Sequence, residues 1–88
     1  MADPRDVSVS KLLSKIVCEL VDRPEFVVIK AHAAEEGASF SIDVHPDDTG
    51  KIIGRQERNA KSLRTIVSAV GQKVHRRYVL VVDEGNPG

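Results

Sequence analysis

The chain predicts a two-layer α+β sandwich, in which two long amphipathic helices cover one face of a three-stranded sheet. Three observations carry that expectation. Apolar residues recur at spacings of three and four in two stretches, near residues 8–22 and 56–70. Three short runs are rich in β-branched residues, at 26–33, 39–45 and 77–82. Proline or glycine punctuates the junctions, at Pro24, Gly37, Pro46, Gly54 and Gly71. With 88 residues the chain holds one domain with one core. That domain is expected over residues 8–83, with a flexible lead-in at 1–7 and a frayed tail at 84–88.

Val9, Leu12, Leu13, Ile16, Val17, Leu20 and Val21 form the stripe of the first helix, from about Ser8 to Asp22. Asp6 or Ser8 can cap its start, and Pro24 disfavours a helical Arg23 and stops it. Cys18 falls away from the stripe's centre, near Lys11 and Lys15, as an exposed thiol, part of a subunit contact or simple filler. Phe26 to Ala33 and Ser39 to His45 then read as two strands joined by a hairpin at Ala34-Glu-Glu-Gly37. The second strand puts Phe40, Ile42 and Val44 on one face and Ser41, Asp43 and His45 on the other.

Pro46-Asp-Asp-Thr49 suits the first turn of a short helix ending near Ile52, with Asp47 and Asp48 at its amino end. After Gly54, a helix from about Gln56 to Val70 places Ala60, Leu63, Ile66, Val67 and Val70 on one face, and Gly71 is suited to stop it. Arg77-Tyr-Val-Leu-Val-Val82 is a continuous apolar run, as expected for a strand covered on both sides or lying inside a sheet.

Composition excludes several function classes. The single cysteine rules out an intrachain disulfide and a cysteine-based zinc site. No metal-loop spacing joins Asp43, His45, Asp47 and Asp48, so neither metal nor other cofactor is expected. Two Phe, one Tyr and no Trp make a poor base-stacking platform, against RRM-type or OB-type surfaces. Gly50-Lys51 lacks the partners of a Walker A loop, and neither G-x-G-x-x-G nor a serine elbow is present. An enzyme is not expected. The absence of a leader pattern and of a long apolar run sets the expectation of a cytoplasmic protein without a membrane partner.

The formal net charge is zero, but it is segregated. Residues 1–49 carry five basic and ten acidic side chains, whereas residues 50–77 carry eight basic ones and only Glu57. Such polarity predicts one cationic surface. Arg58, Lys61 and Arg64 step along the second helix beside its apolar face, and Lys51 and Arg55 lie just before it. A glycine that permits tight turning, a helix amino end with unpaired N–H groups and nearby cations together suit phosphate. Lys73, His75, Arg76 and Arg77 extend that surface, face a protein partner or form a plain solvated turn.

The element order, with Ile52-Ile53-Gly54-Arg55-Gln56 between two helices and Arg58, Ala60 and Leu63 following, resembles a type II KH domain. His45-Pro46-Asp47-Asp48 before this stretch and Leu63-Arg64-Thr65-Ile66-Val67 after it resemble, over nearly the whole chain, the small stand-alone bacterial KH-domain RNA-binding proteins. The resemblance implies the α-β-β-α-α-β fold and single-stranded RNA gripped at a G-x-x-G loop, here Gly54-Arg55-Gln56-Glu57. The expected RNA-binding residues are Lys51, Ile53, Gly54, Arg55, Gln56, Arg58, Lys61 and Arg64, with Ile53 and the second strand's apolar edge forming a groove floor. It further implies RNA chaperoning or post-transcriptional regulation with effects on cell division or envelope growth. The implied partners are a second copy or a larger KH-containing bacterial protein. Glu57 replaces the loop's second glycine. It either crowds the phosphate, weakening RNA binding, or points away and stabilises the first helical turn by about 0.3 to 1 kcal/mol.

Overall fold

The computed structural model describes residues 3–54 and 58–82. Its elements are α1 (Pro4–Leu20), β1 (Val28–Ala33), β2 (Gly37–Asp43), α2 (Thr49–Ile53), α3 (Arg58–Val74) and β3 (Arg77–Val82), with 3₁₀ turns at Pro24–Phe26 and Pro46–Asp48. The sheet order is β1-β2-β3, antiparallel between β1 and β2 and parallel between β2 and β3. The parallel pair needs a crossover, and α2 and α3 supply it.

One core joins the layers. Val9, Leu13 and Val17 of α1, Ile52 of α2, and Ala60, Leu63 and Val67 of α3 pack on Ala38, Phe40, Ile42, Tyr78, Leu80 and Val82 of the sheet. Phe40 and Tyr78 meet edge to face at 5.2 Å between ring centroids. No described element covers the sheet's other face, where Val28, Val79 and Val81 are exposed, so the expected single-faced sandwich is the observed one.

Element boundaries differ from those the periodicity predicts, and each shift has a local cause. Helix α1 begins at Pro4, because Asp3 caps it by accepting a 2.8 Å bond from the Arg5 N–H and proline suits the first helical position. Residues 4–7 are therefore helical, not a flexible lead-in, and neither Asp6 nor Ser8 is the cap. The helix closes at Leu20, and in its stripe Leu12 and Leu20 are exposed at the flank and end.

Strand β1 starts at Val28 because Pro24 to Phe26 turns first. Strand β2 is shifted two residues earlier than expected, since mutual bonds between Ala34 and Gly37 make the hairpin a tight one at Glu35-Glu36. The short helix divides into the Pro46–Asp48 turn and α2.

Helix α3 runs through Gly71 to Val74, so Gly71 does not stop it. Gly71 is buried, and a Cβ there would lie 2.6 Å from the Arg76 carbonyl oxygen. His75 takes the left-handed backbone instead, with φ of 59°. Ile66, expected on the apolar face, is exposed. Strand β3 has the expected bounds but is an edge strand with one covered face: Tyr78, Leu80 and Val82 are buried while Val79 and Val81 are half-exposed. The expected start of the second helix at Gln56, and the tail at 84–88, lie outside the described residues.

A largely buried ion pair ties the far end of the molecule together. Arg76 donates to both Asp6 oxygens at 3.1 and 2.7 Å and to the Gly37 carbonyl at 2.9 Å, and the Tyr78 hydroxyl donates to Asp6 at 2.7 Å. Burial, then the Asp6 carboxylate, pushes the Tyr78 hydroxyl pKa above its ordinary value. No buried side-chain polar atom lacks a partner among the described residues.

Candidate nucleic-acid interface

The junction between α2 and α3 is built around Gly54. The short α2 buries Ile52 in the core and leaves Ile53 half-buried against it. Gly54 then closes α2 by donating its N–H to the Gly50 carbonyl at 2.8 Å. Its backbone, at φ 72° and ψ 173°, lies in a region that only glycine adopts without strain. A Cβ at Gly54 would also sit 2.9 Å from Asn59 Cγ and 3.1 Å from the Asn59 backbone nitrogen. The first turn of α3 thus abuts the glycine directly.

Asn59 fixes that approach. Its Nδ2 donates to the Lys51 carbonyl at 2.6 Å, so the last turn of α2 is fastened to the first turn of α3. Reading the sequence misses this residue, because its acceptor is a backbone group eight positions away.

Arg58, Lys61 and Arg64 are all exposed on α3, beside the buried Ala60, Leu63 and Val67. None of them joins an ion pair among the described residues. Three cations on successive steps of three form a row spanning about 9 Å along the axis, beginning at the helix end beside Gly54. The positive end of the helix dipole lies at that same end.

Lys51 does not belong to this row. Its Nζ is held by Asp22 at 3.0 Å and Asp48 at 3.2 Å, which raise its pKa above the ordinary value. Asp48, expected at the amino end of the short helix, is fully buried and braces the loop after α1, accepting from the Asp22 and Arg23 N–H groups at 3.3 and 3.0 Å. Burial opposes its charge, but Lys51 and these two N–H groups outweigh it and hold the carboxyl below its ordinary range. Lys51 therefore neutralises a buried acid that positions α2.

Arg76, in the second cationic group, is likewise committed to Asp6. Lys73, His75 and Arg77 of that group stay exposed, at the opposite end of α3 from Gly54. Of the eight expected site residues, Gly54, Arg58, Lys61 and Arg64 are brought together, Ile53 packs beside them on the core, and Lys51 is turned to structural use. Arg55 and Gln56, and with them the orientation of Glu57, lie outside the described residues. No group of three or more metal-ligating side chains occurs among the described residues, and no described helix is long and apolar enough to cross a membrane.

The KH-domain model of the KhpA/KhpB proteins matches residues 10–82, from α1 through β3. The chain is 42% identical over 69 residues to the RNA-binding protein KhpA of Halalkalibacterium halodurans, covering 78% of this chain and 91% of that protein. It is 39% identical over 71 residues to the RNA-binding protein KhpA of Streptomyces coelicolor, covering 81% and 90% of the two chains. With the RNA-binding protein KhpA of Listeria monocytogenes it shares 39% identity over 74 residues, covering 84% and 97%. On the extent of these matches, and on the α-β-β-α-α-β order with its glycine between α2 and α3, the chain belongs to the KhpA/KhpB family of KH domains.

Proposed function

We propose that this chain is a non-catalytic RNA-binding module that grips a short single strand at the α2–α3 junction with little sequence discrimination. The observation that carries the reading is the meeting of Gly54, in its glycine-only backbone, with the exposed row Arg58, Lys61 and Arg64 on the adjoining helix. Phosphates are drawn to the amino end of α3 and to the guanidinium and ammonium groups that follow it. Arg55 and Gln56 occupy the two variable positions of the degenerate G-x-x-G loop, and Glu57 the fourth. The relatives are named RNA-binding proteins, which favours the same ligand class here. Contacts directed mainly at the backbone suit a cytoplasmic RNA chaperone or post-transcriptional regulator.

Anisotropy titration of a labelled single-stranded RNA at several salt concentrations tests the proposal. Log K is expected to fall with log salt by about 0.7 per phosphate contacted, and reversing Arg58, Lys61 and Arg64 to glutamate is expected to flatten that slope. Salt-insensitive or absent binding overturns it. Glu57→Gly, which restores the loop's second glycine, is expected to tighten binding in the same assay; unchanged affinity would show that Glu57 does not obstruct the groove.

A second reading, association with another copy or with a larger KH-containing protein, is favoured by the uncovered sheet face, where Val28, Val79 and Val81 are each half-exposed. Native mass measurement separates the two, since a dimer indifferent to RNA supports this one.

A further inference from the structure

The free edge of β1 and the adjoining flank of α1 enclose a groove that the RNA-binding reading leaves unused. A cavity of about 160 Å³ lies between them, lined by Asp6, Val7, Ser10, Lys11, Ala31 and Ala33. Its size matches the cavity of about 150 Å³ that accepts benzene in an engineered protein core. The short side chains of Ala31, Ala33 and Ser10 leave the space that α1 does not fill. Asp6 does not make it an acidic site, because Arg76 and Tyr78 engage both of its oxygens.

Beside this cavity, β1 has β2 on one side and, among the described residues, no strand on the other. The outward N–H and C=O groups of an edge strand are a template for an added extended segment. The strand's two faces ask for different side chains. Ala31 and Ala33 pair with the buried Phe40 and Ala38 and so look toward α1, whereas Lys30 and His32 pair with Ser41 and Ser39 and look toward the open face. Lys11, exposed at the rim of the cavity, joins no ion pair among the described residues. Lys30 is only partly neutralised, by Asp43 at 3.4 Å.

We infer that this groove binds an extended peptide of alternating aliphatic and acidic residues, added as a fourth strand along β1. An aliphatic side chain enters the cavity under α1, and the alternate carboxylates lie beside Lys30 and His32. Self-pairing of two copies through this edge is opposed, because Lys30 of each would share one face with Lys30 of the other.

The test is titration of a labelled, end-capped hexapeptide of alternating isoleucine and glutamate into the full chain, with backbone amide shifts mapped by NMR. Saturable binding is expected, with shifts at Val28–Ala33 and Val7–Lys11. An isoleucine-lysine peptide is expected to bind at least about tenfold more weakly. Ala33→Trp, which fills the cavity, and Lys30→Glu, an exposed substitution on the open face that leaves the core untouched, should each weaken the acidic peptide by about tenfold. No saturable binding, equal affinity for the two peptides, affinity unmoved by Lys30→Glu, or shifts confined to β3 or α3 would overturn the proposal. So would a dimer formed through the β1 edge without peptide.

Discussion

At Gly54 the backbone and the space around it make the same demand. Gly54→Ala incurs about 1 to 3 kcal/mol of backbone strain and drives a methyl group against Asn59 Cγ. Chemical denaturation should show that loss, together with weaker RNA binding. Asn59→Ala removes the bond to the Lys51 carbonyl, and a net loss of about 0.5 to 1.5 kcal/mol is expected in the same measurement. Asp48 makes a prediction about pH. Its carboxyl is held below the ordinary 3.8 in the folded chain, so its contribution is present above that value and fades as pH falls through the lower folded value. Urea unfolding between pH 2 and 6 should show a shallower acid loss for Asp48→Asn than for the parent; identical slopes would remove Asp48 from the account. Gly54 was legible in the sequence, since a glycine between an apolar pair and a cationic helix has few other uses. Asn59, Asp48 and Asp6 were not. Each reads locally as a helix-surface or capping residue, and its partner is a backbone group or a side chain that only the folded chain brings near, 70 residues away for Asp6 and Arg76.

Among the elements, α1 and α3 were visible because burial on one side imposes a period of 3.6 on seventeen residues in each. Their ends were less visible. A proline after Asp3 outcompeted Ser8 as the start of α1, and close packing overrode the ordinary use of glycine at Gly71. Gly71→Val is therefore expected to destabilise by overpacking, about 1 to 3 kcal/mol, with a lowered Tm. Ile52→Ala should lower stability by about 2 to 5 kcal/mol in the same experiment, because Ile52 is the side chain by which the five-residue α2 is buried. Strand β3 misled in a different way. Its apolar run suggested cover on both sides, yet alternation survives in the burial, with Val79 and Val81 left on the open face. Periodicity cannot separate a strand buried on both faces from an edge strand that exposes apolar residues.

For the molecule as a whole, folding refines the charge segregation read along the chain. Lys51 and Arg76 are paired with Asp48 and Asp6, leaving Arg58, Lys61 and Arg64 on the first half of α3 and Lys73 near its other end, about 22 Å from Arg58 along the helix, with Arg77 just beyond it. Only the first group adjoins Gly54, and that adjacency is the basis for placing RNA there. It is tested most directly by mapping backbone amide shifts during titration with a short single-stranded RNA. The account predicts shifts concentrated at Gly54, along α2 and from Arg58 to Arg64, collapsing as salt is raised. Shifts confined to Lys73–Arg77 or to the open face of the sheet would contradict it.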